Sequence, residues 1–168
     1  MYIPELEPYP DWEPIEGEPD PLAVGWLHPD HPGARGPTSE EFRSKLFDLC
    51  KHFVQPTRGF HNCPFCERPP LHPPEVTHHH VPGLGMQPTP EYIKALTLSM
   101  PDKVREFRDG CEQSFGSAEI RVRGADGVVY GAPDLIYHYV VAHDYLPPAA
   151  FIEAVCQWSP PEGTRDAG

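Results

Sequence analysis

The sequence predicts an α+β fold: a small antiparallel β-hairpin or sheet, several short helices, proline-rich loops and a turn of the zinc-knuckle kind. Three observations predict it. There are 24 prolines and 14 glycines among 168 residues, and proline breaks helix interiors and central strands, so long elements are excluded. Apolar residues still recur at helical spacing in several short windows and alternate in one other. The stretch GFHNCPFCERPP at 59–70 contributes a C-x2-C pair, half of a metal site, and a chain with little regular structure gains most from such a cross-link.

Residues 1–37 carry nine prolines yet include Tyr2, Ile3, Leu6, Tyr9, Trp12, Ile15, Val24, Trp26 and Leu27. That is too apolar for a disordered linker, so this segment is expected to lie across the domain as an extended strap, aromatics packed and acids in water. TSEEFRSKLFDLCKHFV at 38–54 is the clearest helix. Thr38 and Glu41 form a capping box, and Phe42, Leu46, Leu49, Cys50, Phe53 and Val54 share one side, which makes Cys50 a core thiol. A short strand leads into the cysteine turn, and 67–90, with seven prolines, reads as a loop. Two modest helices are predicted after Pro90 and Pro101, the second over 102–113. AEIRVRGADGVVY at 118–130 alternates and turns at Asp126-Gly127, which is a hairpin signature. A helix opens at Pro133/Asp134, burying Leu135, Ile136, Tyr139 and Val140, and Pro147-Pro148 starts another, AAFIEAVCQW. The expected organisation is an acidic strap (1–37), one zinc-stabilised α+β domain (38–158) and a flexible polar tail (159–168).

The net charge of −12 is uneven: residues 1–34 hold eight acids and no Lys or Arg, and the remainder carries 17 acids against 13 bases. With no basic stripe, nucleic acid is not the expected partner. MYIPELEPYP lacks the basic start and apolar run of a signal peptide, and LIYHYVVAH at 135–143 is too short to cross a bilayer. Five cysteines without a disulfide-like spacing point to a reducing compartment. The expectation is a cytoplasmic protein that does not engage a membrane.

Structural zinc takes four Cys or His ligands in a tetrahedron. A redox role for Cys63-Pro64-Phe65-Cys66 would require a thioredoxin-like βαβ setting, which the pattern does not provide. The second half has three candidates: His138 with His143, the triplet His78-His79-His80, and His61 in an H-x-C-x2-C knuckle. Five residues of ideal helix leave His138 and His143 ~140° apart, so that pair requires the helix to unwind near Asp144. A helix with one buried and one exposed histidine is the plainer alternative. The preferred set is Cys63, Cys66, His138 and His143, which closes the longest loop, with His61 in reserve. His78–His80 reads more simply as a solvated triplet.

Four closed ligands leave no position for substrate, and neither H-E-x-x-H nor the deaminase motif occurs. The sharpest enzymatic alternative is a metal-dependent hydrolase or nuclease of HNH type, using Glu75 and His78–His80, or an open zinc site near His61 or Glu119. No Asn follows position 62 and no His lies between 80 and 138, so the rest of that motif is missing. No G-x-S-x-G elbow exists, and Cys111 and Cys156 lack a nearby His.

GFHNCPFC (59–66), AEIRV (118–122) and above all YGAPDLIYHYVVAHDYLPPAAF (130–151) resemble a group of small bacterial proteins of unassigned function. They share an H-x-C-x-x-C turn and a Y-x-A-P-x-L-I-x-H-Y-V-x-x-H-x-Y-x-P-P-x-x-F segment. The resemblance puts His61, Cys63, Cys66, His138 and His143 on motif positions and makes 67–116 an insertion. That group lends no activity, and the acidic arm, the closed ligand set and the missing catalytic motifs leave two functional expectations. One is a non-enzymatic, zinc-stabilised binding module that meets a protein partner, a basic one in the case of an immunity-type inhibitor. The other is the metal hydrolase.

Overall fold

At the centre lies the hairpin read from the Asp126-Gly127 turn: β7 (Ala118–Arg123) pairs antiparallel with β8 (Val129–Pro133), Ile120 opposite Ala132 and Arg121 opposite Gly131. This computed structural model describes residues 2–9, 19–56, 61–66, 74–99 and 104–161. The fold is α+β. Two-residue strands flank the hairpin: β1 (Leu22–Ala23) runs parallel to β8 and β2 (Gln55–Pro56) antiparallel to β7, giving the order β1-β8-β7-β2. Edge strands this short present little unpaired backbone.

Both faces of the hairpin are covered. Ile120, Val122, Tyr130 and Ala132 enter the main core. On the opposite face Glu119 and Arg121 are also buried, joined by Arg121 Nε to Glu119 Oε1 at 3.0 Å. The strap is the cause: an added Cβ on Gly131, which pairs with Arg121, would meet the Tyr9 hydroxyl at 2.1 Å. Tyr9, Val24 and Leu27 of the strap are buried, whereas Tyr2 and Leu6 are exposed. Glu5 departs from the expected solvated acids, because its Oε1 accepts the Tyr145 hydroxyl at 2.6 Å and the Gly25 N–H at 3.1 Å. Trp12 and Ile15 lie outside the described residues.

Helix α1 (Glu40–Leu49) is capped by Ser39, whose Oγ accepts the Phe42 N–H at 3.1 Å, rather than by Thr38. It ends earlier than its apolar spacing predicts. The chain leaves the helix at Cys50 to enter β2, so Phe53 and Val54 are exposed instead of packed. Helices α3 (Ile136–Ala142) and α4 (Ala149–Gln157) follow the hairpin as predicted. Their aromatics lock the core: Phe42 meets Phe151 edge to face at 6.4 Å, and Phe47 meets Tyr137 at 5.1 Å. Cys50 is a core thiol at 2% exposure, donating to the Asp134 carbonyl at 3.7 Å, and its pKa is raised by burial and by Asp134.

The helix predicted over 102–113 is instead a hairpin, β5 (Val104–Arg108) with β6 (Cys111–Phe115). Its turn is Asp109-Gly110, with φ of 50° and 78°, the left-handed pair that a two-residue hairpin demands. Its side chains alternate in burial along β5, which the helical reading overlooked. Arg108 pairs with Glu40 of α1.

Backbone contacts divide the chain into two compact units, 1–65 with 103–168, and 66–102. In the second unit, the stretch read as a loop contains the hairpin β3 (His78–Val81) and β4 (Gly85–Pro88), turning through Gly83 and Gly85, both at positive φ. Pro82 falls in the turn and Pro88 at the ladder end, where no ladder N–H is lost. Helix α2 (Pro90–Ser99) takes in Pro90 as its first residue, one before the predicted start, with the Thr89 hydroxyl accepting the Tyr92 N–H at 3.2 Å. Val76, Leu84, Met86 and Ile93 are exposed. Among the described residues, no helix is long and apolar enough to cross a membrane.

Candidate metal centre

Two devices bring the cysteine turn to α3. At Gly116, φ is +100° and an added Cβ would lie 2.2 Å from the His61 carbonyl oxygen, so only glycine allows the chain to pass there. The His61 N–H donates to the Gly116 carbonyl. Gly116 is itself fixed from the other side, its N–H donating to Asp134 Oδ1 at 2.7 Å while Ser117 N–H reaches Oδ2 at 3.3 Å. Asp134 therefore anchors the β6–β7 turn instead of capping α3, whose first residue has no side-chain cap. Burial raises the Asp134 pKa, and the surrounding backbone N–H groups pull it back down.

The end of α3 places the histidines. The His143 N–H still closes onto the Tyr139 carbonyl, but His143 has left helical geometry (φ −126°, ψ 11°) and Asp144 is left-handed at φ 54°, a conformation Asp tolerates. Asp144 O and Leu146 N–H are then captured by Gly36 and Ala34 of the strap at 3.0 and 2.9 Å. This is the unwinding that an H-x4-H pair requires. The rings meet edge to face, centroids 5.0 Å apart.

The side chains of Cys63, Cys66, His138 and His143 converge, one donor atom from each lying within 4.8 Å of every other. His143 Nε2 is 3.2 Å from Cys63 Sγ and 3.3 Å from His138 Nε2. A tetrahedral zinc with ordinary bond lengths separates its nitrogens by about 3.3 Å and a nitrogen from a sulfur by about 3.6 Å, and the two separations at His143 lie near these values. Two thiolates with two imidazoles form a soft set, suited to zinc over hard cations. Cys63 is buried and Cys66 exposed, and the Phe65 N–H donates to Cys63 Sγ at 3.4 Å. Phe65 packs edge to face on Tyr139 at 5.6 Å and against the His143 ring at 5.4 Å, roofing the cluster. Burial lowers the His143 pKa, with His138 and Arg35 adding to it and Asp144 opposing. A ligand imidazole must be neutral, and this environment favours that state.

Sequence reasoning missed Glu106. Its Oε1 lies 2.8 Å from His138 Nδ1, which leaves Nε2 for an ion and gives the carboxylate–histidine pairing common at metal centres. The Asp109-Gly110 turn was the signal that could have placed Glu106 on a strand pointing inward.

The other candidates are not members of this cluster. His61 is exposed and supplies its backbone to the turn. His78, His79 and His80 are exposed along β3 and Glu75 is exposed before it, and no metal-type grouping of the described residues includes them. Glu119 is engaged with Arg121. Cys111 is exposed and Cys156 half-buried.

The model of a Domain of unknown function (DUF7919) matches residues 1–156. The chain belongs to that family. No curated protein and no solved structure matches it. The match spans the strap, the cysteine turn and both histidines, so the whole candidate cluster lies within the DUF7919 region.

Proposed function

We propose that Cys63, Cys66, His138 and His143 bind zinc as a structural staple, and that the protein is a cytoplasmic binding module rather than an enzyme. The convergence of four soft donors within 4.8 Å of one another carries this reading. Four protein ligands fill a zinc ion's usual coordination, leaving it no open position for water or substrate. The ion joins a turn to a helix across 71 intervening residues, so its binding energy becomes folding energy.

The partner is a protein. The unit 66–102 exposes Val76, Leu84, Met86 and Ile93 at 50–70%, more apolar surface than solvation alone favours. The net charge of −12 steers a basic partner, as an immunity-type inhibitor would require.

The test is metal analysis of purified protein, followed by cobalt substitution. One zinc per chain and the intense visible bands of tetrahedral cobalt with thiolate ligands are expected, both lost in His143→Ala together with cooperative unfolding. A metal-free protein with an unchanged thermal transition refutes the staple. A folded, zinc-depleted His143→Ala that loses a hydrolytic activity refutes the non-enzymatic reading. For the partner, a salt-sensitive complex with a basic protein encoded alongside is expected on gel filtration, and failure to associate at low salt removes the immunity role.

A further inference from the structure

A cavity of about 330 Å³ opens between the strap, the cysteine turn and the junction of the β7–β8 hairpin with α3. Its volume is at the low end of the ~300–1,000 Å³ typical of ligand pockets. Tyr9, Trp26 and Tyr139 line it, with the acids Glu119 and Asp134, the imidazole residues His28 and His61, and no Lys or Arg. Tyr9 and Trp26 stand edge to face, centroids 5.8 Å apart.

The two acids differ. The charge on Glu119 is offset by Arg121 Nε at 3.0 Å. Asp134 is held by the neutral N–H groups of Gly116 and Ser117, so among the described residues no ion pair offsets its ionised form. Aromatic faces attract cations through the ring quadrupole, and a weakly polar wall strengthens the attraction of a nearby carboxylate. A carboxylate or phosphate ligand would meet Asp134 with no Lys or Arg in the wall to receive it, only the imidazoles of His28, already beside Asp30 at 3.3 Å, and His61.

We propose that this cavity binds a small organic cation, an ammonium head carried on a compact apolar body. The raised pKa of Asp134 fits that reading, because burial leaves its ionised form poorly solvated and a bound cation would relieve this. One feature favours an acceptor-bearing ligand instead: the buried Trp26 indole N–H has no hydrogen-bond partner among the described residues. The experiment therefore sets the two against each other.

The zinc-loaded full chain is titrated by calorimetry with benzyltrimethylammonium, benzyl alcohol and benzoate, three ligands that share a ring and differ in charge. The cation is expected to bind in the range of about 0.1–1 mM, at least about tenfold tighter than the alcohol, with benzoate weakest. Trp26→Leu, which keeps apolar bulk and removes the ring, is expected to weaken the cation at least about fivefold, while Trp26→Phe stays closer to wild type. If Trp26→Leu does not fold, the Trp26 indole resonance of the wild-type protein provides the readout, shifting saturably with the cation. The proposal is overturned by the absence of saturable binding up to about 10 mM, by benzoate or the alcohol matching the cation, or by a ligand that leaves the Trp26 resonance unmoved. Zinc content is unaffected by any of these results, so they bear on the cavity separately from the staple.

Discussion

Truncating Glu106 to alanine removes the acceptor 2.8 Å from His138 Nδ1 and frees that ring to rotate or change tautomer. Losing such a partner costs roughly 10- to 100-fold in metal affinity, equivalent to about 1.4–2.7 kcal/mol. The Glu106 side chain is 26% exposed and that of His138 only 10%, so water partly replaces the lost carboxylate. The expected loss for Glu106→Ala is therefore about tenfold, the lower end of the range. Glu106→Gln keeps an oxygen in place for the Nδ1–H and loses only the charge, so about threefold is expected. Zinc affinity is measured by competition with a chromophoric chelator at fixed pH, and unfolding of the loaded variants confirms that β5 is intact. An affinity for Glu106→Ala within twofold of wild type, about 0.4 kcal/mol, would show that Glu106 does not orient the ligand. Equal losses in both variants would assign the effect to charge and refute the orientation argument.

Gly116→Ala forces a side chain into positive φ and against the His61 carbonyl. A stability loss of at least about 1–3 kcal/mol with weaker zinc binding is expected in urea titrations and chelator competition, and wild-type values for both would show that the turn does not hang from Gly116. Phe47, 1% exposed between Phe115 and Tyr137, should cost about 3–5 kcal/mol when replaced by alanine; a loss under about 1 kcal/mol would mean the ring is not in the core. Glu5 has its pKa raised, chiefly by burial, with Tyr145 and Gly25 opposing. Its folded form thus holds protons that the unfolded chain has released, and its contribution to stability is full below the unfolded pKa and declines as pH rises through the folded one. Glu5→Gln keeps an acceptor for both donors and should remove that decline, seen as a flatter stability–pH profile than wild type just above the ordinary carboxylate range; parallel profiles would contradict it.

How much of this was legible depended on the range of the forces involved. Helices α1 and α4 carry their apolar period within a dozen residues, and Asp126-Gly127 carries its turn within two, so local pattern sufficed. The same two-residue signal at Asp109-Gly110 was overridden by the proline before position 102, which suits a helix start as well as a loop. The hairpin at 78–88 was hidden by proline content, although its prolines occupy the turn and the ladder end. The loosened end of α3 was inferable because no other geometry lets His138 and His143 share a target. Gly116 and Asp134 were out of reach, because each acts on a residue 18 or more positions away, Gly116 on His61 and Asp134 on Gly116; for Glu106 the Asp109-Gly110 turn could have given the strand but not the contact with His138, 32 positions on. Spacing within a sequence does not report contacts of that span. The burial of Arg121 was hidden for the same reason, since an alternating strand cannot announce that a distant strap covers its outer face.

Cys63 and its partner His143 are 80 positions apart. At cellular elongation rates of about 5–20 residues per second, the thiols are made about 4–16 s before the final imidazole. With the proposed staple, the nascent turn would be an incomplete chelator during that interval, open to oxidants, to competing thiophilic metals and to the histidines at 61, 72 and 78–80. Correct loading is thus a question of timing as well as affinity, and slowing translation between the two halves should increase the fraction of misloaded chains.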